Sequence, residues 1–468
     1  MTDRPRAVLH LEAKLKADST ARHEVIKRML STYLLSNYAT LESHTILEPG
    51  SSVSQPPPST SQTEQADPTE PRAVAPAIGW REIGTLDDHL ELVRLAEIDR
   101  FDNDDEADEL ESSDLIMLAE VDLEIHIYQL VSMFEAPLKA TLDEEDPDAS
   151  CHEETAARVI RLPSQAHDGL WSSLIFPPRV KRDLLNFMTT SAEFARRGVD
   201  TDIIASNRLL LLHGPPGTGK TSLCIALAQK LSIRLSDIWP DTRLIEINSH
   251  SLISRWFSES GKLVQRLFSQ IFALADTPTN YIVVLIDEVE SLTAARASAL
   301  NGKEPSDALR VVNALLTQLD QLRRRRNVLV LATSNLAQAI DPAFLDRADM
   351  KQYIDLPHVE AIHWILQTCF VELMRAQLVD ALEMLTWKQV RMLEGLECQR
   401  GGSGPSENAS RSLVKLAHAC RGLSGRALRR LPILSHAKYL SGARKHSVFT
   451  WIDAMHRVAT DLQQDIHG

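Results

Sequence analysis

The sequence predicts an α/β fold in which a parallel sheet flanked by helices is preceded by a small α+β domain and followed by a helical lid. Three apolar runs carry that reading. Leu209–Leu212, Tyr281–Ile286 and Val328–Ala332 lack any polar alternation, as strands buried on both faces of a parallel sheet require. Each run ends in polar residues, and open α/β sheets bind their ligands at that carboxyl edge.

The first run leads through His213 into Gly214-Pro215-Pro216-Gly217-Thr218-Gly219-Lys220-Thr221, which satisfies G-x-x-x-x-G-K-[ST] between a strand and a helix-compatible stretch, Thr221–Ala228. The three glycines let several backbone N–H groups turn toward one anion, and the helix adds its positive end. Lys220 then reaches the β/γ phosphates and the Thr221 hydroxyl ligates Mg²⁺. The loop residues Gly214, Pro215, Pro216, Gly217, Thr218, Gly219, Lys220, Thr221 and Ser222 form the expected nucleotide-contacting set. The chain is thus expected to bind a nucleoside triphosphate.

The second run ends in Asp287-Glu288. Mg²⁺ is held by one or two carboxylates plus phosphate oxygens, which suits Asp287. Glu288 is placed to act as general base on the attacking water. The third run ends in Asn335, whose amide can hold that water against the γ-phosphate.

Beyond it lies Ile340-Asp341-Pro342-Ala343-Phe344-Leu345-Asp346-Arg347-Ala348-Asp349. In this order and spacing the four elements resemble an AAA+ ATPase module. The resemblance implies that Arg347 is an arginine finger reaching a neighbouring subunit's nucleotide, where negative charge builds during phosphoryl transfer. Many members carry two arginines here, whereas this chain has Arg347 and then Lys351.

Three further segments are similar to the pachytene checkpoint, or thyroid-receptor-interacting, ATPases. They are Asn248–Lys262, Leu285–Arg296 and Gly422-Leu423-Ser424-Gly425-Arg426. The similarity is nearly continuous from about Leu162 to Pro357. It implies a homo-hexameric motor, using ATP and Mg²⁺, that partly unfolds HORMA-domain proteins, directly or through a HORMA-type adaptor. It also implies a nuclear, chromosomal setting shared with the cytoplasm, in meiosis and the spindle checkpoint. Trp256-Phe257 precedes an amphipathic helix (Leu263, Val264, Leu267, Phe268, Ile271, Leu274), and two adjacent aromatics cannot both face one core. The resemblance makes that pair a substrate-gripping pore loop and Ser298–Asp307 a second one. In the lid, Ser424 can cap a helix Ala427–Leu440. Arg426 in its first turn opposes the helix dipole, which argues for an external anion. The resemblance makes Arg426 a second sensor of the γ-phosphate.

Composition narrows the setting. The formal net charge is −14, but segment 102–114 carries eight acids and segment 141–155 seven, and these account for the whole excess. Acidic runs of this kind are read as solvated linkers. That balance disfavours a clamp loader or helicase acting on DNA, which wants the opposite sign. Five cysteines show no close-set pairing, so neither a disulfide framework nor a cysteine-based zinc site is indicated, and Cys224 reads as a packing residue. No apolar run approaches the ~20 residues of a membrane span, and no secretory leader is expected. Arg323–Arg326 reads as a solvated loop and 399–407 as a flexible insertion.

The expected domains are 1–160, interrupted by a Pro/Ser/Thr/Gln-rich insert at 48–79, then 162–357, then 358–468. Within the first, Val121–Tyr128 alternates strictly, the period of a half-buried strand. A nucleotide-dependent switch or scaffold that does not thread its client is the other function class compatible with these residues.

Overall fold

The computed structural model describes residues 6–42, 46–47, 83–99, 115–132, 135–138, 157–201, 203–249, 260–291, 307–336, 340–396, 404–440 and 445–467. Trp256, Phe257, the second pore loop before Asp307, the 48–79 insert, both acidic segments and most of 399–407 lie outside them. The chain divides into two compact units: Met1–Phe134 with Arg161–Ala166 and Ser232–Thr242, and the remainder.

The first unit contains β1 (Ala7–Leu15), α1 (His23–Asn37), β2 (Thr40–Glu42), β3 (Ile46–Leu47), α2 (Gly84–His89), β4 (Leu90–Asp99), β5 (Leu115–Met117) and β6 (Val121–Gln129). Its main sheet has the order β3-β4-β1-β6, with β1 antiparallel to β4 and parallel to β6. The period of two sends Leu9, Leu11, Ala13 and Leu15 into one core with Ile26, Leu30 and Leu34 of α1. His10, Glu12 and Lys14 alternate with them and are also buried. The 232–242 segment belongs to this unit, where the Ser236 hydroxyl donates to the Ile127 carbonyl (3.3 Å) and Lys27 pairs with Asp237 (3.0 Å). The half-buried reading of β6 therefore holds only for its start. Ile125, His126, Ile127 and Tyr128 are all buried, on both faces of the strand.

The second unit opens with β7 (Glu135–Leu138) and β8 (Ala157–Leu162), then α3 (Leu170–Ser173), α4 (Pro178–Arg197), β9 (Leu209–His213), α5 (Lys220–Arg234), β10 (Asp241–Asn248), α6 (Ser260–Ala275), β11 (Asn280–Asp287), α7 (Asp307–Leu322), β12 (Val328–Ser334), α8 (Pro342–Arg347) and β13 (Met350–Tyr353). The sheet order is β13-β9-β12-β11-β10-β8-β7. Two strands from the stretch assigned by sequence to the N-terminal domain thus complete this sheet, and Ala157 and Val159 join its core. The pairs β13–β9, β9–β12 and β12–β11 are parallel. Their register sets Ser334 beside His213 and Ala332 beside Ile286, so three carboxyl ends meet at one edge. On α6, Val264, Leu267, Phe268 and Ile271 pack on that core, as the helical spacing predicts.

The Arg323–Arg326 loop is not simply solvated. Arg325 pairs with Asp276 (2.5 Å) and lies over the Phe272 ring, and Arg323 donates to the Thr201 carbonyl. Buried Arg208 bonds the carbonyls of Val328 (3.0 Å), Arg323 (2.6 Å) and Arg325. The carbonyls at a helix C-terminus lack partners within the helix, and Arg208 supplies them after α7.

The lid consists of α9 (Val359–Arg375), α10 (Trp387–Leu396), α11 (Pro405–Ala419), α12 (Gly425–Tyr439) and α13 (Val448–His467). Ile362, Leu366, Phe370, Leu413, Trp451 and Met455 form its core. Ser424 caps α12 as the sequence predicts, accepting from the Ala427 N–H at 3.3 Å.

Candidate nucleotide site

β9 ends in a loop that only glycine can close. Gly214 has φ 144°, and a Cβ there would stand 2.1 Å from the Ile354 carbonyl oxygen. Its N–H donates to the Ser334 carbonyl (3.2 Å), tying the loop to the end of β12. α5 starts at Lys220, so its unsatisfied N–H groups open onto this loop. The Lys220 ammonium is buried and donates to the carbonyls of Gly214 (2.9 Å) and Pro215 (2.7 Å). Burial pushes its pKa down, while Glu290, Asp287 and Glu288 pull the other way. Thr218 braces the loop by donating to the Pro215 carbonyl at 3.0 Å.

The Thr221 hydroxyl donates to Asp287 Oδ1 at 2.9 Å, uniting the first two motifs. Thr333 donates to the same oxygen and accepts from the Glu288 N–H (3.1 Å), while Ser249 donates to the Asp287 carbonyl. Glu288 itself is exposed and holds φ 57°, a conformation costly for a residue with a Cβ. That conformation is held by the Glu288 N–H on Thr333 Oγ1 and the Val289 N–H on the Thr333 carbonyl (3.0 Å). A positively curved loop, a buried lysine and a Thr–Asp pair fit a nucleoside triphosphate with its metal.

Asn335 is oriented by a residue that the sequence reading did not select. Its backbone N–H (3.1 Å) and its amide Nδ2 (2.9 Å) both donate to Glu290 Oε1. Glu290, Thr333 and Ser249 are site positions that the sequence did not single out, although Ser249 and Glu290 fall in the family-like segments Asn248–Lys262 and Leu285–Arg296 and Thr333 precedes the Ser-Asn strand end.

Two other candidates have partners of a different kind. Arg347 makes a bidentate pair with Asp320 (2.7 and 2.8 Å) and donates to the Ala343 carbonyl (2.7 Å). That pair holds Asp320 below the usual carboxylate range and raises Arg347. Arg426 is exposed at the start of α12, and its N–H donates to the Gly217 carbonyl at 3.3 Å. A Cβ on Gly217 (φ 75°) would meet Ser424 Oγ at 3.0 Å and Arg426 Cβ at 3.1 Å. The lid therefore rests directly on the phosphate loop. Gly219 neighbours Phe176, and Pro216 and Ser222 complete the loop and its helix. Burial, and then the Lys220 charge, lower the pKa of His213 at the end of β9.

A parallel sheet with this loop, this acidic strand end and this lid is the architecture of an AAA+ ATPase. The model of the ATPase family associated with various cellular activities matches residues 210–356, and that of the TRIP13-like AAA+ ATPase lid C-terminal domain matches 358–463. The pachytene checkpoint protein 2 homolog of Danio rerio is 45% identical over 363 residues, 76% of this chain and 83% of that protein. The Mus musculus homolog is 48% identical over 326 residues, 69% and 72% of the two chains. The solved structure of C. elegans PCH-2 matches with a TM-score of 0.66 at 29% identity, covering 97% of this chain and 99% of its own. The chain belongs to the pachytene checkpoint protein 2 (TRIP13) family of AAA+ ATPases.

Proposed function

We propose that this ATPase works as a hexameric ring that partly unfolds HORMA-domain proteins, acting on meiotic chromosomes and in the spindle checkpoint. The observation that carries the motor reading is the seat of the lid on the phosphate loop, through Gly217 and Arg426. A change at the phosphates is felt by α12 without any intermediary. Family membership supports the HORMA client, taken directly or through an adaptor of the same fold.

In the hydrolytic step Lys220 and the loop N–H groups hold the phosphates. Glu288 accepts the proton of the attacking water, and Asn335, set by Glu290, orients that water. Arg426 senses the γ-phosphate from the lid. Thr221 and Asp287 would hold Mg²⁺, which neutralises charge on the phosphate oxygens. Arg347 meets the nucleotide of the next subunit, leaving Asp320 to do so.

Trp256 and Phe257 are proposed to grip the client, and they take no part in phosphate chemistry. Trp256→Ala should keep basal hydrolysis and assembly yet lose release of a bound peptide from a closed HORMA protein. ATP turnover is followed in the same tube. Peptide release as fast as in the parent chain would replace threading with the nucleotide-dependent scaffold.

A further inference from the structure

β1 and β6 bring two buried histidines and two carboxylates onto one face of the N-terminal sheet. In their parallel register His10 stands beside Glu124 and Glu12 beside His126. The period of two puts all four side chains on the same side, opposite the leucine core. His10 and His126 are 5% and 3% exposed, and their rings stack with centroids 5.3 Å apart. His10 Nδ1 lies 3.0 Å from His126 Nε2 and 3.5 Å from Glu124 Oε2. One donor atom from each of the three residues falls within 4.8 Å of the others.

The tautomer of His10 follows from its other side. His10 Nε2 is 3.0 Å from Asp99 Oδ2, and an ionised carboxylate only accepts. Nε2 therefore carries the proton, and in the neutral ring Nδ1 keeps its lone pair toward His126 and Glu124. A carboxylate that orients a histidine in this way is the usual outer partner of a metal-ligating imidazole.

We propose that His10, His126 and Glu124 form a zinc site that clips β1 to β6, with Asp99 as the positioning residue of His10. Two imidazoles and one carboxylate are a donor set that Zn²⁺ takes with a fourth position open, whereas Ca²⁺ and Mg²⁺ favour all-oxygen shells. With bonds of about 2.0–2.1 Å, tetrahedral donors stand roughly 3.3 Å apart, so opening the imidazole pair by a few tenths of an ångström admits the ion. Glu124 is exposed, which leaves the fourth position facing outward for water.

The test uses the full chain, stripped with chelator in the absence of nucleotide and titrated with Co²⁺ and then Zn²⁺. We expect one Co²⁺ per chain with the intense visible bands of a tetrahedral N/O site, discharged by Zn²⁺. Asp99→Asn should weaken Zn²⁺ binding about 10–100-fold, and His126→Gln should weaken it further. Glu124→Gln alters an exposed side chain, so it decides the matter if His126→Gln does not fold, and it should weaken binding by at least about tenfold. Far-UV circular dichroism and ATP turnover check that each variant remains folded. Absence of tetrahedral Co²⁺, thiolate charge-transfer bands, or the same affinity in all three variants would overturn the site and leave a hydrogen-bonded histidine pair.

Discussion

Asn335 shows how far a single residue can be read. Its place at a strand end marks it as a candidate, but its aim is set by Glu290, which is reached only because β11 and β12 pair in one register. Releasing it with Glu290→Ala should leave ATP affinity intact and slow hydrolysis roughly 10- to 10²-fold, the scale of a misplaced reactant. Unchanged turnover under saturating ATP would confine Glu290 to structural bracing. Glu288→Gln removes the base but keeps Asp287 and its bond to Thr221. We expect turnover to fall about 10²–10⁴-fold with ATP still bound, whereas Lys220→Ala should lose binding altogether. Fluorescent-nucleotide titration beside a phosphate-release assay separates the two. Lys220 and Thr221 were legible because the motif demands both its residues and its strand–loop–helix setting, and Asp287 because it ends a buried apolar strand. Glu290, Thr333 and Ser249 were not, since each acts through a partner at least 38 positions away in sequence.

At the scale of elements, runs with a clear period were legible and charged loops were not. The apolar strands, α6 and the capped start of α12 all follow from spacing and capping chemistry. The arginine loop after α7 was legible only in part: Arg324 and Arg326 are exposed, but sequence gives charge and not the distant carbonyls, acids and rings that dock Arg323 and Arg325. The domain boundary drawn at 160 did not foresee that β7 and β8 complete the large sheet, because strand pairing is set by tertiary packing. The lid offers a test through His363 on α9, buried against the Trp387 ring at 5.6 Å. Burial pushes its pKa down to about 4. The unfolded chain, with an ordinary value near 6.5, therefore binds the extra proton between those limits. Its contribution is fully present above about pH 6.5 and is lost as pH falls toward 4, on the order of 3 kcal/mol in all. Lid stability should thus drop over this window, and His363→Phe should flatten the slope in denaturant titrations at pH 7 and pH 5. An unaltered slope would assign the loss to other groups.

For the whole molecule, the question is how one chain's site depends on another's. Arg347 is paired with Asp320 inside its own chain, so serving a neighbour means exchanging a bidentate carboxylate for phosphate oxygens. Mixing Arg347→Ala with Glu288→Gln subunits, each nearly inactive alone, should recover part of the ATPase activity wherever an intact finger meets an intact base. Mixed rings verified by mass yet no more active than their parents would place Arg347 in its own subunit's site. The proposed assembly, clients and pore-loop grip lie beyond what spacing alone conveys, because they depend on surfaces that meet only between chains. The contact of Gly217 with α12 has a mechanical corollary. α12 has 15 residues and so extends about 22 Å from its contact with the phosphate loop. A tilt of about 10° at its first turn displaces its far end by roughly 4 Å, close to the rise of one strand residue. Pro432 notches the rod partway along, so its stiffness comes from packing against α9 and α13 rather than from its own backbone. A shift at the Gly217 carbonyl that tilted α12 by this much would carry its far end about the length of a single residue of extended chain.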